Sequence, residues 1–225
     1  MTGPIVAGPG GAAGDIKELF SGSPTAPGIT GGVFIGKPGI ALPPADDIFV
    51  PATEHSPDLK NVGFVSEDGV TGTEDRSINE IAAWGGDIVA FLQESFSVSW
   101  QMVLLQIMNR DIAKLAYGDD NVAYTQATQA HGNWLAIKVN KLMLPKKTVW
   151  IDSFYSDGSE GLKAMRWVAP LAQVSEKGDF KTAHSELSGH DLTLKLLPDS
   201  QGNNAYIYLD DGQVVPLPAG GGGTP

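Results

Sequence analysis

Histidines, paired aspartates and glycine-rich runs are the residues of this chain whose type and spacing can support chemistry. His184 and His190 fall in HSELSGHD, with Glu186 and Asp191 beside them. Zinc sites use tighter spacings and a third and fourth ligand, so this pattern reads as turn and strand-edge histidines, not as a metal site. His55 and His131 stand apart from that pair. Gly118-Asp119-Asp120 has the letters of a polymerase motif but follows a helical stripe, and a glycine stop accounts for it. Asp210-Asp211-Gly212 is a turn. GPGGAAG at residues 8–14 lacks the strand before it and the helix after it that a phosphate loop needs. No nucleophile elbow and no P-loop occur. Paired carboxylates of a glycosidase meet only in space, and no motif here supports such a pair. The expectation is no catalytic residue, no cofactor and no metal.

Composition narrows the function further. A net charge of −11 with a pI near 4.6 argues against tight binding to phosphate backbones, which needs clustered Lys and Arg. The chain has no cysteine, which excludes disulfides and thiolate metal ligands. No apolar run reaches the length that spans a bilayer as a helix. With 42% hydrophobic residues in 225, the chain has material for one core-bearing domain plus arms.

Residues 61–117 organise the chain. Phe96, Val98, Trp100, Met102 and Leu104 fall at every second position, with Ser97, Ser99 and Gln101 between them. A period of two places the two sets on opposite faces of a strand. Val103, Leu105 and Ile107 turn the second face apolar, so the far half of the strand reads as covered on both sides. A two-turn helix follows as the cover. Asn109 or Asp111 caps it, Ile112, Leu115 and Ala116 form its stripe, and Gly118 ends it.

The remaining elements fall around this stretch. Residues 1–32 read as a flexible N-terminal arm and 216–225 as a Gly/Pro tail. Residues 31–36 are a short strand. Residues 36–58 hold five prolines and form an extended loop whose apolar side chains pack on a neighbouring subunit or on the core. Residues 59–65 read as a strand and 66–69 as a turn at Asp68-Gly69. Residues 66–86 form a long acidic loop, of a length that is unusual without a function, although a solvated hairpin also fits it. Residues 121–132 are a polar connector, 134–144 a strand, and 148–154 its hairpin partner across Pro145-Lys146-Lys147. A turn at 156–158, a strand over 162–174 broken at Pro170, and strands at 190–197, 205–209 and 214–215 complete the chain. Nine to eleven strands with one short helix indicate a mainly β protein, an antiparallel sandwich or barrel.

The ordered motifs VGFVSEDGV, DRSINEIAAWGGD, ESFSVSWQMVLLQ and NRDIAKLAYGD together resemble the major tail protein, or tail tube subunit, of long-tailed phages. The resemblance is nearest to those infecting actinobacteria. It implies a β-sandwich or barrel of the tail-tube type over residues 33–215 with one short flanking helix. It also implies hexameric rings, stacked into a siphovirus tail tube that conducts double-stranded DNA during genome ejection without tight binding. Tape measure, tail tip and tail terminator proteins are the implied partners. The virion is the implied location, after synthesis in the host cytoplasm. On this resemblance the 66–86 loop contacts the next ring through Glu67, Asp68, Thr73, Glu74, Asp75, Arg76, Asn79, Glu80 and Trp84. Ser97, Ser99 and Gln101 are the candidate lumen row, neutral and without a cation for phosphate. The alternative is a monomeric β-sandwich module that binds or decorates a virion. An unassigned hydrolase is a third possibility.

Overall fold

A computed structural model describes residues 32–44, 48–155, 162–179 and 187–213. The expected strand at 214–215, the turn at 156–158, the C-terminal tail, His184 and Glu186 lie outside the described residues, as does the N-terminal arm up to residue 31. Gly32 was expected in that arm. It is buried, and its carbonyl accepts the Asp152 N–H at 2.7 Å.

Ten strands are seen among the described residues: β1 Val33–Gly36, β2 Lys60–Asn61, β3 Val65–Ala82, β4 Ile88–Leu104, β5 Val122–Thr125, β6 Trp134–Ile137, β7 Lys147–Tyr155, β8 Lys163–Lys177, β9 His190–Leu197 and β10 Tyr206–Asp210. Helix α1 is Ala52–His55 and α2 is Arg110–Tyr117. The main sheet runs β2-β1-β7-β8-β9-β4-β3, with β10 beside β8, and every pair is antiparallel. Its two end strands, β2 and β3, are consecutive in the chain. Across the short link between them Val62 N–H bonds the Val33 carbonyl and the Phe64 carbonyl accepts Leu105 N–H. The sheet therefore curls back on itself, in line with the antiparallel sandwich or barrel expected.

The period-two reading of β4 holds. Trp100, Met102 and Leu104 are buried in one cluster with Val149 and Ile151 of β7, Leu192 and Leu194 of β9, and Ile112, Leu115 and Ala116 of α2. Each such side chain contributes roughly 1.5–3 kcal/mol of burial. The other face is less covered than expected, for Val103 and Leu105 stay half-buried. Helix α2 is two turns long and amphipathic, and at that length it depends on packing. Asn109 is its cap, accepting N–H groups from Asp111 at 2.9 Å and Ile112 at 3.5 Å. Asp111 sits inside the first turn, where the helix dipole favours its charge. Gly118 ends the helix at φ 93°, where a Cβ would be strained.

Several expectations are corrected. Strand β2 covers only Lys60–Asn61, because Gly63 at φ 80° breaks the pleat while its N–H bonds Asn61 Oδ1 at 2.6 Å. Of the two alternatives for the Pro-rich segment, packing on the chain's own core holds: Ala52 is buried with Phe34 and Trp150, and Ile48 with Phe154. The connector at 121–132 contains β5, which pairs β6 in a separate two-stranded sheet. Strand β6 stops at Ile137, and its partner is β5, not residues 148–154. Those belong to β7, between β1 and β8, where Trp150 and Val149 find the core. Strand β8 is not broken at Pro170. From Lys147↔Ala172 to Val149↔Ala169, two steps on β7 match three on β8, so proline interrupts the ladder and not the strand. The Thr148 hydroxyl lies 2.9 Å from the Pro170 carbonyl.

Candidate assembly interface

The expected loop at 66–86 is strand β3 as far as Ala82 and then the tip of a solvent-exposed hairpin with β4, the alternative given for it. Its sequence lacks apolar alternation because both of its faces are exposed, and alternation is the signal by which a half-buried strand is read. Between Val65↔Leu104 and Val70↔Met102 the chain bulges, with Gly69 at φ 68°. The Asp68-Gly69 pair expected to turn the chain makes this bulge instead. From Thr71 the strand stays paired with β4 to Ala82↔Ile88, through two shifts of register. The Ala83–Asp87 tip closes through Ala83 N–H to the Asp87 carbonyl at 2.8 Å, with Gly85 and Gly86 at positive φ. At about 3.4 Å per residue, the twelve steps from Trp100 to Ile88 carry this arm roughly 40 Å past the core.

Register assigns the faces. One continues the core side: Arg76 opposite Phe96, Ile78 opposite Gln93, Glu80 opposite Phe91, Ala82 opposite Ile88. The Arg76 guanidinium lies 4.6 Å from the Phe96 ring centroid and bonds Glu74 at 2.9 Å and Gln93 at 3.1 Å. The other face begins polar, with Thr71/Gln101, Thr73/Ser99, Asp75/Ser97 and Ser77/Ser95, and ends with Asn79/Leu92 and Ile81/Ala90. Extra residues at Glu94 and Val89 interrupt the pairing twice, which bends and twists the ribbon. Trp84 at the tip is fully exposed, and Val89, Phe91 and Leu92 are each more than half exposed. A two-stranded ribbon with this apolar load is marginal by itself in water.

The structure thus brings most of the expected contact residues onto one arm. Thr73, Asp75 and Asn79 share one face, and Glu74, Arg76 and Glu80 the other. Trp84 stands at the tip, while Glu67 and Asp68 stay at the base in the bulge. The apolar contributors Ile88, Val89, Phe91 and Leu92 were not among the expected contact residues. Their signal was an apolar run at both parities, which one buried face cannot use. Ser97, Ser99 and Gln101 form a row as expected, but the row is not free of cations. Lys195 of β9 pairs opposite Ser99, and Gln101 Nε2 donates to Asp191 at 3.3 Å.

The other candidates resolve into structure. Asp119 pairs with Lys147 at 2.8 Å just past the α2 stop. Asp210 accepts the Gly212 N–H at 2.7 Å in a turn. His190 stacks edge-on with Tyr117 at 5.7 Å; burial, and then the Lys177 charge, depress its pKa below the ordinary value. Among the described residues no three His, Asp or Glu side chains gather as a metal site. The best-buried charges are Asp152 and Arg166, joined through Nε at 2.6 Å and a second bond at 2.8 Å, with Arg166 also donating to the Val50 carbonyl. Burial pushes the Asp152 carboxyl up while Arg166 pulls it down. This pair ties the Pro-rich segment to β7 and β8.

A model of the phage tail tube protein family matches residues 25–219. The chain belongs to that family. No curated protein matches it at a significant level. As a phage tail tube protein it is a structural component of the virion that assembles into a tube with other tail proteins. A tail tube protein must hold contact surfaces that a lone subunit leaves open, and the β3–β4 arm is exposed on both faces.

Proposed function

We propose that this tail tube protein is the major tail protein of a long-tailed phage, of the kind that infects actinobacteria. It forms hexameric rings that stack into the conduit for genome delivery. The observation that carries the stacking is the β3–β4 arm, some 40 Å long, exposed on both faces and apolar toward its tip. The arm is the ring-to-ring clamp. Residues Glu74, Asp75, Asn79, Glu80 and Trp84 lie on it and meet the neighbouring ring. Negative-stain electron microscopy of the purified chain tests this: rings and tubes are expected, and isolated particles at high concentration would refute it.

The row Ser97, Ser99, Gln101, widened by Thr71 and Thr73 across the ladder, faces the lumen in this proposal. Net charge −11 suits a wall past which phosphate must slide, because repulsion acts within a Debye length of about 8 Å at physiological salt. Lys195 beside Ser99 is the local exception. Substituting Ser99→Lys would then place two cations side by side and slow DNA ejection from assembled particles. Normal tubes with unchanged ejection would place the row elsewhere. Tape measure, tip and terminator proteins would meet the tube inside and at its ends, and the subunit would be made in the host cytoplasm.

A further inference from the structure

The arm carries five carboxylates and one guanidinium over residues 71–97, a net charge of −4. Residues 121–151 hold four lysines and no Asp or Glu, a net charge of +4 in a chain whose total is −11. Within that basic stretch, residues 134–147 expose Val139 (77%), Leu142 (65%) and Met143 (87%). Lys138, Lys141 and Lys146 stand exposed among them and form no ion pair among the described residues. Two surfaces of one chain thus match in both respects: apolar residues on each, and opposite charge.

The basic segment lies at the level of the arm's base. Residues 138–144 line one cleft together with Ala116, Tyr117, Gln173, Val174, Ser175 and Lys177. By register those residues of β8 align through β9 with Ser99–Met102 at the core end of β4. The arm leaves that level and runs about 40 Å past the core. A chain cannot lay its arm on its own basic segment. We infer that residues 134–147 are the receptor for the β3–β4 arm of a second copy, which rests on the clamp reading above. A contact between two different surfaces of identical subunits does not close on itself unless rotation closes a ring, and so it propagates along an axis. One face of a two-stranded ribbon about 10 Å wide covers roughly 400 Å² per arm. That is below the roughly 800 Å² per partner of a stable pair, so single contacts are weak and repetition around a ring supplies the strength.

The chain has no cysteine, so an introduced pair reports cleanly. Full-length protein carrying Asp87→Cys and Lys141→Cys is assembled reduced, viewed by electron microscopy, then oxidised. Tubes that give a ladder of covalently joined copies on denaturing electrophoresis support the inference. Tubes that give no ladder overturn it while leaving the clamp intact. Tubes that also form after the arm is shortened overturn the clamp itself. Independently, the triple reversal Lys138→Glu, Lys141→Glu, Lys146→Glu should raise the concentration needed for assembly roughly tenfold. Adding Glu80→Lys and Asp87→Lys to it should restore assembly. Unchanged assembly of the triple variant, with a parental thermal melt, would refute the docking.

Discussion

Shortening the arm separates its role in folding from its role in assembly. Ile78 and Gln93 are directly opposed in the ladder, so residues 79–92 can be replaced by Asn-Gly, the two-residue link that suits a right-handed ribbon. The cut removes Ile81, Trp84, Ile88, Val89, Phe91 and Leu92, which are 45–106% exposed. None of them enters the core, so folding stability should change by no more than about 0.5 kcal/mol and Tm by about 2 °C. Assembly should respond differently. If each side chain contributes about 1 kcal/mol at a contact after ordering costs, the six sum to about 6 kcal/mol. Even half of that raises the assembly concentration about a hundredfold. Thermal melting followed by sedimentation and electron microscopy reads both quantities on one sample. A parental assembly threshold would show that the arm is not the clamp. A melt lowered by 10 °C or more would show that the arm belongs to the fold, contrary to its exposure.

Three further outcomes follow from the interior. Asp152→Ala takes the paired carboxylate from the buried Arg166 cation and should cost about 3–5 kcal/mol, whereas Asp152→Leu with Arg166→Met should recover most of it by chemical denaturation. Asn109→Ala should cost about 1 kcal/mol and Asp111→Ala only a few tenths, since Asn109 alone receives the helix N–H groups. His190, with Tyr117 and Lys177 against it, has a folded pKa depressed below its ordinary 6.5. Its contribution to stability is therefore complete above about pH 6.5 and is lost as pH falls through the folded value. Denaturation midpoints for the parent and His190→Phe should diverge over that acidic window, and parallel curves would remove His190 as the cause.

How much could be read in advance depended on which side chains had somewhere to go. Trp100, Met102 and Leu104 declared their strand because one buried face imposes a period of two, and Asn109 and Gly118 marked a helix because caps are local. The mainly β class and the family motifs lie on the same level, since both are written in the order of residues along the chain. The arm was hidden for the same physical reason: a strand with two wet faces has no alternation to show, so residues 71–82 looked like a loop. Pairing was hidden as well. Residues 148–154 follow a turn-like Pro-Lys-Lys and yet join β1 and β8, because Val149 and Trp150 bury area there that the exposed β6 cannot offer. Sequence thus determined the strand faces, the helix ends and the acidic balance, all set by neighbours a few residues away. Tertiary structure alone decided which strands meet, that Asp152 meets Arg166, and that the basic segment sits at the level of the arm's base, because those relations depend on closing the sheet over contacts distant in the chain.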